Sequence, residues 1–291
     1  MNRIAGILLI SISAASFGTL AIIGRFAYAD GMDVTTLLFL RFTIAAILMF
    51  AWMALRREPL PRGRVLLQLA GMGGLGYVGQ SFCYMSAIQY ASTGLVALLL
   101  YLYPVFVTVL TVIVQKKKIT SRTILALVLA TGGAALTANP EGGQLPGILL
   151  AVSAALIYAV YIIVGTDVMK QVSSVQSSAV IFASAAVVFG LMTLIRGAHW
   201  PATQTGWLAV SGIALVATML PVATFLAGLK IVGATDASLL STLEPVVTVI
   251  LAAVVLSEPI LPSMLIGGAL ILAAVVITVQ RQKKPGGNAA T

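Results

Sequence analysis

The sequence predicts an all-α polytopic membrane protein, with ten transmembrane helices forming two inverted five-helix repeats around a central cavity. Three observations predict it. Of the 291 residues, 60% are hydrophobic and only 9% are charged, against about 25% charged in soluble chains. Apolar runs of about 20 residues, the length that crosses a bilayer core, recur along the whole chain. A single offset of 141 residues aligns the first half with the second. Lysine and arginine fall on alternate loops with a bias of 14 to 2, leaving Arg41 inside a span, which is a strong positive-inside signal.

The spans are read at 4–26, 34–54, 66–87, 93–114, 122–139, 147–166, 175–195, 207–229, 235–256 and 262–280. They give domains at 1–141 and 142–282 and a flexible cytoplasmic tail at 283–291. The run after Met1-Asn2-Arg3 is longer than the roughly 7–15 residues of a signal-peptide core, and is read as a retained first helix. Span 2 holds Arg41, which either snorkels to the interface or faces a wet cavity. Span 3 is rich in glycine and carries Tyr77, Gln80 and Tyr84 on one face, either lining a cavity or bonding between helices. Span 4 is uncharged and centred on Pro104, which removes a backbone donor and bends or unwinds the helix. Span 5 repeats alanine at 126, 130, 134 and 138, a packing stripe for internal docking or a dimer contact.

Span 6 opens the second copy. Gly6-Ile7-Leu8-Leu9 matches Gly147-Ile148-Leu149-Leu150, and Pro104 matches Pro245, both at 141. Span 8 is broken by Pro221, whose freed carbonyl needs a side chain, water or ligand. Span 9 carries Glu244, the one carboxylate deep in an apolar span, opposite Tyr103 in the alignment. Five is odd, so the copies run antiparallel across the membrane, with both termini cytoplasmic and the loops of Asp30, Asp33, Glu141 and Glu258 outside. Inverted repeats of this kind hold a solute between the copies near the midplane.

The same composition excludes other classes. The net charge of +9 follows from basic loops facing anionic lipid, so the partners expected are membrane lipid and a small-molecule solute, not nucleic acid. Cys83 is the only cysteine and His199 the only histidine. No disulfide, metal site, cofactor site or nucleophile–base pair is therefore expected, and no enzyme. A channel needs a polar row through several spans, and none is visible. The expected assembly is a monomer or weak homodimer.

Depth, polarity and ring faces select the candidate substrate-binding residues. They are Ser13, Phe17, Tyr77, Gln80, Tyr84, Leu98, Tyr101 and Tyr103 from the first copy. Tyr158, Tyr161, Thr218, Ser241, Thr242 and Glu244 come from the second, with Pro104, Pro221 and Pro245 as hinges. Aromatic walls suit an apolar solute group. Packing or interfacial anchoring is the alternative for each lone tyrosine. Glu244 binds a substrate ammonium, carries a coupled proton, or acts as a neutral hydrogen-bonding acid.

The ten spans, the duplication, Tyr103-Pro104-Val105, Glu244-Pro245-Val246 and Leu256-Ser257-Glu258-Pro259 together resemble the EamA-type transporters of the drug/metabolite transporter superfamily. The resemblance covers about residues 4–280 and is greatest to the family's bacterial aromatic amino-acid exporters. It implies an inner-membrane exporter, a basket of helices around a central cavity, and export of aromatic and other neutral amino acids. Relatives that move drugs or other metabolites make a multidrug exporter of hydrophobic cations, possibly proton-coupled, the second reading. The family glutamate after the fourth helix is present as Glu258, while the first copy has Lys117 there.

Overall fold

The computed structural model describes residues 3–114, 121–137, 144–169, 171–241 and 243–280. Thr242, Lys117, Glu141 and the tail at 283–291 lie outside them, as does the side chain of Pro104. The elements are all helical. In the first half they are α1 (Arg3–Gly18), α2 (Leu20–Ala29), α3 (Val34–Leu55), α4 (Gly63–Gly71), α5 (Val78–Tyr90), α6 (Thr93–Leu100), α7 (Tyr103–Val114) and α8 (Ser121–Thr137). The second half has α9 (Leu145–Met169), α10 (Ser174–Arg196), α11 (Gln204–Ala214), α12 (Leu220–Ser241), α13 (Leu243–Leu256) and α14 (Pro262–Gln280). A π-helical turn joins α4 to α5 at Met72–Tyr77, and another joins α11 to α12 at Leu215–Met219.

Among the described residues, five helical stretches are long and apolar enough to cross a membrane: Arg3–Ala29, Val34–Leu55, Leu145–Gly165, Ser174–Arg196 and Gln204–Phe225. Shorter apolar helices lie at Thr93–Val107, Ile124–Ala134, Leu243–Leu256 and Pro262–Ala274. Their outer faces carry exposed aliphatic side chains such as Leu8, Ile47, Leu194 and Val254. Helices satisfy their backbone groups internally, so such faces are stable against lipid.

Pro104 acts as the sequence predicts, in the first turn of a new helix, where a missing N–H costs nothing. The fourth span divides at Tyr101-Leu102, and Pro104 sits at the start of α7. The last turn of α6 tightens, with Tyr101 N–H bonded to Leu98 C=O and Leu102 N–H to Leu99 C=O, each at 3.1 Å. Pro245 stands likewise at the start of α13. Pro221 does not open a gap, because the π-helical turn before it absorbs the break and helix continues to Ser241.

The helix assigned to Leu220–Ser241 runs across the boundary read at 229 and 235. The neighbours along α1 nevertheless reverse between Ile231 and Glu244. Pro221 lies beside Ser13, Gly228 beside Ile10 and Ile231 beside Gly6, whereas Glu244 lies beside Gly18. Position along α1 therefore falls and then rises again. One further break, at Thr19, was not expected. There the Thr19 hydroxyl donates to Ser16 C=O at 2.7 Å, a back-bonding that competes with the helix ladder.

At the centre, α3 and α10 pack antiparallel. His199, just past α10, donates its backbone N–H to the Thr36 hydroxyl at the start of α3, at 3.1 Å. At the other end the Ser173 hydroxyl, which caps α10, bonds the Glu58 carboxylate just past α3. Between them Phe42 stacks on Phe189 at 5.7 Å and lies 5.9 Å from Phe182. Gly73 allows the π-helical turn to meet α10, since a Cβ there would lie 2.5 Å from Ile181 C=O.

Contacts in one half recur, exchanged, in the other. A Cβ on Gly6 would meet Ile231 and Val232, and one on Gly147 would meet Tyr90 and Ala91. Each glycine and its neighbours are 141 residues from the corresponding set. The alanine stripe packs internally: α8 lies on α14, with Ala126 and Ala130 buried and Gly133 against Gly267.

Candidate functional site

The cavity between the halves is lined by Phe17, Leu20, Arg41, Tyr77, Gln80, Ser81, Tyr84, Leu100, Tyr101, Tyr103, Tyr158 and Glu244. Its volume is about 120 Å³, below the roughly 300–1,000 Å³ of sites that take a small molecule. The breaks at Thr19 and at Tyr101-Leu102 bring Phe17 and Tyr101 to it, and the first turn of α13 brings Glu244. The π-helical turn at Met72–Tyr77 turns Tyr77 toward it and places Gln80, Ser81 and Tyr84 on the following turns.

Aromatic rings form a continuous chain around it. Tyr101 meets Tyr103 at 5.9 Å, Tyr103 meets Tyr158 at 4.8 Å, and Tyr158 stacks on Tyr161 at 6.0 Å. Tyr161 meets Tyr77 at 5.8 Å, and Tyr77 lies 5.4 Å from Phe42. Edge-to-face and offset pairs at these separations hold one another in place.

The predicted residues divide accordingly. Phe17, Tyr77, Gln80, Tyr84, Tyr101, Tyr103, Tyr158 and Glu244 line the cavity. Ser13 is buried behind it and donates to Pro221 C=O at 2.8 Å. Leu98 is buried against Gly268. Tyr161 backs Tyr77 and Tyr158, and its other side meets an apolar outer groove beside Leu75 and Gly76. Thr218 is buried, donates to Ile213 C=O at 2.9 Å, and receives Arg41 Nε at 3.1 Å. Ser241 contributes its carbonyl, and Thr242 lies outside the described residues.

Arg41 does not snorkel. It is 4% exposed, lines the cavity, and lies 4.9 Å over the Phe42 ring. Its charge in an apolar span was the signal that could have placed it among the candidates. Ser81 could have been found from its place one turn past Tyr77, whereas Leu20 and Leu100 carried no signal.

Glu244 is tied to Tyr101. The Tyr101 hydroxyl lies 2.9 Å from the Glu244 carboxyl and 2.5 Å from Ser241 C=O. It has one proton and faces two acceptors. An ionised Glu244 competes for that proton. A protonated Glu244 donates to the phenol oxygen instead and leaves the phenol proton to Ser241.

On one face, Arg25 lies 3.7 Å from Glu258, and its Nη2 donates to Ala91 C=O at 2.8 Å. Glu258 accepts from Thr93 N–H at 3.1 Å and the Thr93 hydroxyl at 2.8 Å, so a carboxylate sits at the electropositive start of α6. On the same face, Asp33 caps α3. Burial would raise its carboxyl pKa, but hydrogen bonds from Thr35 and Thr36 hold it below the usual range. Asp30 accepts from the Thr203 hydroxyl at 2.5 Å and from Ala202 N–H at 2.8 Å. The Thr203 side chain and then the backbone donors hold its carboxyl below the usual range against a small desolvation effect.

The sequence pattern of the EamA-like transporter family matches twice, at residues 4–139 and 145–280. An uncharacterized transporter of Archaeoglobus fulgidus is 30% identical over 275 residues, covering 92% of this chain and 94% of that protein. The uncharacterized transporter YcbK of Bacillus subtilis is 25% identical over 272 residues, covering 87% and 86%. A solved crystal structure superposes with a TM-score of 0.66 over 97% of this chain and 100% of its own, at 22% identity, which speaks to the fold alone. These likenesses point to transport, not catalysis: the chain is a multi-pass membrane protein that belongs to the EamA-like transporter family of secondary transporters.

Proposed function

We propose that this transporter exports aromatic and other neutral amino acids from the cytoplasm by alternating access, in a bacterial inner membrane with both termini cytoplasmic. The observation that carries the reading is the cavity wall of Phe17, Tyr77, Tyr84, Tyr101, Tyr103 and Tyr158 around the buried Glu244. The rings offer an apolar surface to the amino-acid side chain, and Glu244 offers a partner for the ammonium group. Gln80 supplies a further polar contact. Ser13, Leu98, Tyr161, Thr218 and Ser241 act from behind the wall, and Thr242 is assigned by sequence alone.

The architecture proposed is ten spans in two inverted five-helix units, 1–141 and 142–282, with the tail beyond. Three facts support it: the antiparallel α3 and α10, the contacts exchanged at 141, and the double family match. At about 120 Å³ the cavity must widen before a phenylalanine fits. The break beside Pro104, the first turn of α13 at Pro245, and the π-helical turn before Pro221 are the hinges for that opening. The single Tyr101 proton between Glu244 and Ser241 C=O links protonation of Glu244 to the end of α12. Proton coupling follows from that link.

A buried carboxylate among aromatic rings also suits hydrophobic organic cations, and this is the second reading. Purified protein in proteoliposomes, given labelled phenylalanine, threonine, methionine and an organic cation with and without a proton gradient, separates the two. The expected result is amino-acid flux that responds to the gradient and is blocked by Tyr101→Trp. A cation-only response overturns the amino-acid reading in favour of the second.

A further inference from the structure

Two charged side chains, one from each half, line the cavity, and they do not pair. Arg41 comes from α3 and Glu244 from α13. Among the described residues Arg41 forms no ion pair, and its one hydrogen bond is Nε to the Thr218 hydroxyl. The terminal nitrogens donate to no described residue. Burying a guanidinium without a carboxylate costs several kcal/mol, so its presence calls for a reason.

Packing does not supply one. The counterpart of Arg41 at the 141 offset is Phe182, and the counterpart of Thr218 is Tyr77. Phe182 and Tyr77 meet at 5.9 Å, so the other half makes the same helix contact with two rings and no charge. The fold therefore accepts an uncharged residue at this position. Glu244 likewise corresponds to Tyr103. Both charges depart from the internal symmetry, in opposite senses, at the same cavity.

The arginine is also held in a definite pose. Thr218 fixes Nε while donating its own proton to Ile213 C=O, and the Phe42 ring lies 4.9 Å from the guanidinium carbon. The side chain is 4% exposed and presents its remaining donors to the cavity. A planar fork of N–H groups held in this way matches the two oxygens of a carboxylate.

We infer that Arg41 binds the carboxylate of the transported solute while Glu244 binds its ammonium, so that the cavity selects dipolar solutes over organic cations and over simple acids. This rests on the amino-acid reading above and names the residue that makes the choice. One bound zwitterion neutralises both unpaired charges at once. A cation satisfies Glu244 and leaves Arg41 with like charge beside it.

The test uses full-length protein in proteoliposomes, with efflux and counterflow of labelled phenylalanine. Unlabelled phenylalanine, phenylalanine methyl ester and 3-phenylpropionate serve as competitors. The ester lacks the carboxylate and the acid lacks the amine. Wild type is expected to favour phenylalanine over either by about 10–100-fold, the worth of one charged hydrogen-bonding pair. Arg41→Gln is expected to remove most of the preference over the ester, and Arg41→Lys to restore part of it, because the charge returns without the fork. A purely structural role would lower stability and all fluxes together and leave the ratio of phenylalanine to ester unmoved. Equal competition by phenylalanine and its ester in wild type, or an Arg41→Gln ratio equal to wild type, overturns the role of Arg41 while leaving amino-acid transport standing. Absence of phenylalanine flux in wild type overturns the amino-acid reading itself, and this inference with it.

Discussion

Glu244 and Tyr101 share one proton, and the chemistry of the cavity turns on who holds it. Glu244→Gln keeps a hydrogen-bonding side chain of the same shape and removes the titration. Transport by this variant is expected to lose its dependence on pH, with folding judged intact by size-exclusion profile. A rate that still varies with pH as in wild type, measured in proteoliposomes between about pH 5 and 8, sinks the coupling role. Ser13 does a plainer job. Its hydroxyl donates to Pro221 C=O at 2.8 Å, beside a 3.4 Å contact from the Thr224 hydroxyl. Ser13→Ala is expected to cost about 1 kcal/mol, read as a small fall in the thermal midpoint in detergent. Of the cavity residues, the aromatic ones were legible because a tyrosine deep in an apolar span has few other uses. Ser13 and Leu98 looked the same in sequence but serve packing, since helix periodicity fixes a face and not which neighbour covers it.

The elements were legible where a single residue dictates backbone chemistry. Pro104 follows a helix end by a residue or two, where the missing donor requires it. The π-helical turns were not legible, because the sequence showed only Gly71, Gly73, Gly74 and Gly76 in one case and nothing distinctive before Pro221 in the other. Their position follows from close packing. Gly73→Val would drive a side chain into the backbone of Ile181 at 2.5–2.8 Å, and backbone cannot give way. The expected loss is about 1–3 kcal/mol, measured as a drop in thermal midpoint, whereas substitution at Gly71, which has open space around it, should cost little. At the loop ends, Asp30 joins the turn before α3 to the start of α11. Its pKa is lowered in the folded protein, so its contribution is present above the ordinary carboxylate range and disappears as pH falls through the lowered folded value. Asp30→Asn is therefore expected to flatten the acid side of a thermal-stability profile and to leave the profile's shape at neutral pH unchanged.

For the whole molecule, composition and the 141 offset carried most of what could be read. The family pattern matches at 4–139 and again at 145–280. The 14 to 2 loop bias predicts sidedness directly. In a Cys83→Ser background, Lys117→Cys should react with a membrane-impermeant maleimide only from the cytoplasmic face, and Ile260→Cys only from the opposite face. Labelling of both from one face would end the inverted arrangement.

The π-helical turns at Met72–Tyr77 and Leu215–Met219 overlap when one half is laid on the other at 141. A π turn contains one surplus residue, and an α-helix advances about 100° per residue. Deleting a single residue within either turn would restore regular winding and rotate everything before it relative to everything after it by that angle, swinging Tyr77 or Thr218 away from its neighbours. A surplus found in both copies at one place is most simply inherited. If the halves descend from one duplicated unit, that unit already carried the irregularity when it was doubled.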